Sequence, residues 1–75
     1  MSALHLFFEK FLDATDFQEP VILTEDTILL DLPEWDSLAA LGVIVLFDVE
    51  YNKVITGDDL VRVVTIKDLF NLTGQ

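Results

Sequence analysis

Leu32-Pro33-Glu34-Trp35-Asp36-Ser37-Leu38, with the apolar run that continues to Phe47, decides the fold of this chain. A proline, an acid, an aromatic and a second acid lead to a single serine, and that serine opens a long apolar helix. Asp36 is a good N-cap residue, because its carboxylate can accept from the free N–H groups of the first turn. Ser37 then lies at the positive end of the helix dipole. Added negative charge is tolerated there, and a phosphate ester would face unpaired backbone N–H groups. A serine so placed is either a plain helix start or a point that carries a phosphorylated group.

Beyond Ser37 the helix is expected to run to Tyr51 and to end at Asn52-Lys53. Leu38, Leu41, Gly42, Val45, Leu46 and Val49 make one stripe at helical spacing. Ala40, Val43, Ile44, Phe47 and Tyr51 make the opposite one. A helix apolar on all sides is either buried or meets something, and periodicity does not say which stripe is core. Gly42 costs about 1 kcal/mol of helix propensity against alanine, so it marks a candidate close approach.

On the N-terminal side, Leu4, Phe7, Phe8, Phe11 and Leu12 form one helical stripe, which predicts a first helix over residues 3–15 capped by Ser2. His5 lies off the stripe without a metal-spaced partner and reads as a surface residue. Residues 17–35 form a long connection. Pro20 and the turn formers Thr24, Glu25, Asp26 and Thr27 break any helix. A loop this long in a small domain must pack or function. Val21, Ile22, Leu23, Ile28, Leu29, Leu30 and Leu32 cannot all face water, so the loop should lie over the helices, with Trp35 as the anchor of its end. A short strand at 28–30 would have no obvious partner.

After Lys53, Gly57-Asp58-Asp59 should start a short third helix containing Leu60, Val61, Val63 and Val64. Thr65 with Asp68 three residues on resembles a capping box and should open a fourth helix. Its stripe is Ile66, Leu69, Phe70 and Thr73, and Gly74 ends it. The expectation is thus an all-α, four-helix bundle over residues 1–75, one domain, with a long first loop and a short third helix.

Composition narrows the function. The 75 residues are 52% hydrophobic, enough for a packed core although a marginal one. The chain has no cysteine, which removes disulfides, thiolate metal sites and a cysteine nucleophile, and suits a reducing, cytoplasmic setting. No run reaches the ~20 apolar residues of a membrane span, and the start shows no basic signal-peptide region. The formal net charge is −10, with Lys10, Lys53, Arg62 and Lys67 the only strong bases. Such a surface repels phosphate backbones and anionic lipid and favours partners with basic patches. Asp48, Glu50, Asn52, Thr56 and Asp59 lack the glycine and bidentate glutamate of a calcium-binding EF-hand loop. One histidine, no Gly-rich phosphate loop and no His pair leave no recognisable catalytic set, so the chain is not expected to be an enzyme and no metal site is expected.

Asp36-Ser37-Leu38, after a long acidic loop and before an apolar helix in a short acidic chain, resembles the acyl carrier protein family, and the resemblance runs from the first helix to Leu72. It implies that Ser37 carries 4′-phosphopantetheine, derived from coenzyme A, and that acyl groups ride on the arm as thioesters in lipid, fatty-acid or secondary-metabolite synthesis. It implies a phosphopantetheinyl transferase and acyl-transferring enzymes as partners, docking at Asp36 and Leu38, and an apolar interior beside the second helix that shelters the cargo. It also sets the helical register: Val43, Ile44, Phe47 and Tyr51 match core positions, so Leu41, Val45, Leu46 and Val49 should look outward as a docking face. The chain departs from the family in two places. Pro33-Glu34-Trp35 stands where the family has a glycine shortly before Asp-Ser-Leu. The outer face of the second helix, Ala39, Leu41, Gly42, Val45, Leu46 and Val49, lacks the usual acids. Both point to a specialised carrier. A D-alanyl or peptidyl carrier, and an unmodified helical interaction module, are the alternatives. The expected state is a monomer, with a weak dimer through the apolar face as the other option.

Overall fold

The computed structural model describes residues Ser2–Gln75. Four α-helices follow in order: α1 (Ala3–Thr15), α2 (Ser37–Tyr51), α3 (Gly57–Arg62) and α4 (Ile66–Asn71). The long connection between α1 and α2 contains one 3-10 turn, Leu29–Asp31. The only β pairing among the described residues is an isolated antiparallel bridge between Ile28 and Thr65.

Each helix begins and ends for a local reason. The Ser2 hydroxyl accepts from the His5 N–H at 3.1 Å to start α1, and Asp16, at φ 51°, closes it with its N–H on the Leu12 carbonyl. Asn52 closes α2 in the same left-handed conformation, at φ 54°. This region suits asparagine and aspartate better than most residues. The two short helices are only six residues each, too short to persist alone. Both carry a full capping box, Thr56 with Asp59 and Thr65 with Asp68. The Asp68 carboxylate accepts from the N–H groups of Val64 and Thr65, both at 3.1 Å. These backbone donors hold its pKa below the ordinary aspartate value.

Phe7 is the hub of the core. Its ring lies 5.6 Å from Phe70, 6.0 Å from Phe47 and Tyr51, and 6.3 Å from Phe11, so α1, α2 and α4 all meet on it. Phe11, Val43, Phe47, Leu29, Ile66 and Leu69 complete the fully buried set, and Leu4, Phe8 and Leu12 pack against it.

The first loop packs as its composition requires, but only in part. Leu23, Leu29 and Leu32 are buried, while Ile22 and Leu30 stay in water. The segment at 28–30 is not a strand. It makes the single bridge to Thr65 and then turns into the 3-10 turn. Its partner is the α3–α4 junction, which the sequence does not reveal. The Leu29 N–H donates to the Val64 carbonyl at 2.9 Å, and the carbonyls of Thr27 and Glu25 accept from the Ile66 and Lys67 N–H groups at 2.9 and 3.1 Å. The loop thus satisfies the free first-turn donors of α4. A Lys67–Glu25 ion pair at 3.1 Å lies beside these bonds. At the loop's end Trp35 stacks on Phe11, with ring centroids 6.1 Å apart and planes 13° from parallel.

Gly42 is where α1 and α2 come closest. A Cβ built there would lie 2.4 Å from the Ala14 carbonyl oxygen, a backbone atom that cannot swing aside. Gly42→Ala should therefore reverse the usual sign. Propensity alone would add about 1 kcal/mol, whereas the clash is expected to make the variant about 1–3 kcal/mol less stable, read as a lower urea midpoint.

Asp68 gives a pH-dependent companion. Its folded pKa is lowered, so the stability from its capping bonds is present above the ordinary aspartate range and is lost as pH falls through the lowered value. The gap in urea midpoint between the natural chain and Asp68→Asn should be full at pH 7 and shrink as pH falls through that value. A gap independent of pH would show that the charge does not matter to the cap.

Candidate functional site

Three contacts fix the entry to α2. The Glu34 carboxylate accepts from the backbone N–H groups of Gln18 and Glu19, one on each oxygen, both at 2.9 Å, which ties the end of the long loop to its beginning. Trp35 is seated on Phe11. The Asp36 carboxylate accepts from the Ala39 N–H at 2.8 Å, and the Asp36 carbonyl accepts from Ala40 at 2.9 Å. Ser37 follows as the first residue of α2, and it is exposed. The N–H groups of Ser37 and Leu38 have no partner within the helix, as the geometry of a helix start requires. Glu34 and Trp35 thus form a clamp that sets where Ser37 stands. The acid at Glu34 carried no signal of that role, because its partners lie 15 and 16 residues away.

Two recesses flank this point. One, of ≈ 780 Å³, is an open groove between the C-terminal half of α1 and the length of α2. Its floor is Leu38, Leu41, Gly42, Val45, Leu46 and Val49, and Lys10, Asp13, Asp16 and Glu50 stand at its edge. The other, of ≈ 300 Å³, lies between residues 15–18 and 33–36 and has Asp16, Glu34 and Asp36 in its wall with no lysine or arginine. Leu38 lines both recesses, and Ser37 lines neither. The Lys10–Glu50 ion pair, at 3.1 Å, joins α1 to α2, and the Lys10 ammonium sits 5.0 Å from the centre of the Tyr51 ring. Burial raises the Tyr51 pKa, an effect that Lys10 opposes and Glu50 adds to.

The expected outer face of α2 needs one correction. Leu38, Leu41, Val45 and Val49 do face out, with Leu38 75% and Val49 69% exposed. Leu46 and Ala39 do not: they are 6% and 4% exposed and belong to the core side. The reason is rotational. Ala39, Val43 and Leu46 follow one another at spacings of four and three, a stripe that α1 covers where it crosses at Gly42. Leu38, Leu41, Val45 and Val49 repeat at three and four on the adjacent side. Val43 and Phe47 are fully buried and Ile44 and Tyr51 partly so, as the register required. The space beside α2 on its inner side is filled by Phe7, Phe11 and Phe47, so the open apolar volume lies outside, in the groove.

Among the described residues no three of His, Cys, Asp and Glu are grouped to hold a metal ion, and no helix is long and apolar enough to cross a membrane. Comparison with protein-family models, with curated proteins and with solved structures found no match.

Leu46→Glu and Phe47→Glu should both unfold the domain, since each places a charge in the core and removes packing, at a cost of about 3 kcal/mol or more. Val49→Glu should stay within about 0.5 kcal/mol of the natural chain. Circular dichroism melts of the three variants check this, and a Leu46→Glu chain as stable as Val49→Glu would contradict the observed rotation of α2.

Proposed function

We propose that this chain is a carrier of the acyl-carrier type, bearing thioester-linked acyl groups on a 4′-phosphopantetheine arm at Ser37. The observation that carries the reading is an exposed serine at the first position of a 15-residue helix, behind an aspartate cap and a clamped loop. The resemblance of Asp36-Ser37-Leu38 and its setting to the acyl carrier family supplies the cargo. A specialised role in lipid, fatty-acid or secondary-metabolite synthesis, in the cytoplasm, fits the two departures from the family pattern.

The residues divide the work. Ser37 Oγ forms the new bond to the phosphorus of the phosphopantetheine unit of coenzyme A, the bond to adenosine 3′,5′-bisphosphate breaks, and the hydroxyl proton passes to a base of the transferase. The arm supplies the thiol that the cysteine-free chain lacks. The free N–H groups of Ser37 and Leu38 and the helix dipole favour the phosphodiester charge. Asp36 holds the helix start rigid and, with Asp16 and Glu34, offers an anionic surface to a basic partner. Leu38, Leu41, Val45 and Val49 offer apolar contact beside it. The chain itself performs no catalysis in this reading. A second reading, an unmodified interaction module, draws on the same exposed apolar residues.

Intact mass separates the two. Incubation with coenzyme A and a promiscuous phosphopantetheinyl transferase should add the mass of one phosphopantetheinyl group, and Ser37→Ala should abolish the gain without altering the melt. No gain in the natural chain, or a gain that persists in Ser37→Ala, would overturn the assignment. Asp36→Asn keeps a good cap, so its stability should change by only about 0.3 kcal/mol, while the rate of modification falls if the charge docks the transferase.

A further inference from the structure

We propose that Glu34 is a positioning residue for the transfer at Ser37, fixing where the serine hydroxyl meets the incoming phosphorus. The proposal rests on the attachment at Ser37 argued above. In that transfer Ser37 Oγ bonds to phosphorus, adenosine 3′,5′-bisphosphate leaves, and the hydroxyl proton goes to a base of the transferase. The residues from Leu32 to Asp36 lead to the serine, and each is held by a different means. Leu32 is buried in the core. Pro33 has its φ fixed by its own ring. Glu34 accepts from the Gln18 and Glu19 N–H groups, one on each carboxylate oxygen. Trp35 stacks on Phe11 and donates its backbone N–H to the Leu32 carbonyl at 3.1 Å. Asp36 caps α2. A surface connection is ordinarily the loosest part of a domain, and this one is restrained at every residue.

Glu34 is the member of this set whose work is local. Leu32 and Trp35 pack on the core and Asp36 starts the helix, so the fold itself accounts for them. The two Glu34 bonds lie at the surface, where water competes for the same donors and their net contribution to the whole fold is small. What they fix is a distance. Gln18 and Glu19 stand just past Asp16, the end cap of α1, and Glu34 stands just before Asp36, the start cap of α2. Further along, α2 is pinned to α1 at Gly42, so the clamp governs the serine end alone. A nucleophile placed before its partner arrives avoids a search in the reacting complex, and a misplacement of ~1 Å can cost about 10²-fold in rate.

The test follows transfer from coenzyme A by a phosphopantetheinyl transferase, read by intact mass on the full chain at a temperature where circular dichroism shows every variant folded. Glu34→Asp keeps the charge but is one methylene too short to reach both N–H groups. Its kcat should fall about 10- to 100-fold while KM for the chain stays the same. Glu34→Gln keeps one acceptor and should restore part of that kcat. Asp16→Asn removes a charge from the same recess wall, keeps a residue suited to the left-handed α1 cap, and leaves the clamp intact, so it should raise KM and spare kcat. In the ¹⁵N-labelled Glu34→Asp chain the amide order parameters should drop at Ser37 and Leu38 and hold at Val43 and Phe47. An unchanged kcat in both Glu34 variants overturns the positioning role and leaves the attachment standing. A change in KM alone does the same, because it makes Glu34 a docking acid. Loss of the fold in both variants also overturns it, since Glu34 would then serve the whole domain. If the natural chain takes up no mass, the attachment reading fails and the positioning role falls with it.

Discussion

The close approach of Gly42 to the Ala14 carbonyl is the constraint on which the arrangement depends. Because α2 has no side chain at that point, α1 lies against its backbone, and the contact sets the rotation of α2 about its own axis. With that rotation, Val43, Leu46 and Phe47 turn into the core while Leu38, Leu41, Val45 and Val49 turn out. The same contact makes the bottom of the external groove, since Gly42 lies between Leu41 and Val45 where α1 runs beside them. One missing methyl group thus separates the packed side of an all-apolar helix from its open side, with the exposed serine at one end of both.

The rest of the fold supplies what two helices cannot. A domain of this size buries a modest core, and α3 and α4 are too short to form alone. The long loop makes up the difference. Leu23, Leu29 and Leu32 enter the core, carbonyls of the loop satisfy the first donors of α4, Glu34 ties the loop's end to its beginning, and Trp35 seats that end on Phe11. The loop is therefore part of the scaffold, and it leaves the exposed Ser37 at a junction held by Glu34, Trp35 and Asp36.

Charge divides the surface. Lys10 and Lys67 are each engaged with a glutamate, one joining α1 to α2 and the other fastening the loop to α4. Exposed pairs of this kind contribute about 0–1 kcal/mol each, so their placement matters more than their strength. The acids around the serine face a recess with no lysine or arginine in its wall, an arrangement that suits a basic visitor. Apolar surface beside an acidic one is the combination a carrier would present to successive enzymes.

The amino-acid sequence by itself determined the helices and where they start, and the ends of the two long ones; α3 stops at Arg62, short of the expected Val63 and Val64, and α4 stops at Asn71, short of Gly74. Phe7 and Phe11 at i and i+4, the Asp36 cap, and Thr65 with Asp68 are signals made and read within one turn, so α1, α2 and the start of α4 stand where periodicity and capping put them. It also marked Asp36-Ser37 as a helix start and Gly42 as a close approach, because a capping acid and a helix-interior glycine are legible in isolation. What only the tertiary structure decided are relations between distant segments. The Glu34 clamp, the pairing of residues 25–29 with the α3–α4 junction, and the burial of Leu46 and Ala39 beside the exposed Val45 all depend on which neighbour arrives from elsewhere in the chain. An all-apolar helix has no preferred inside of its own. The inside was chosen by where α1 could touch its backbone, and that is a property of two helices together.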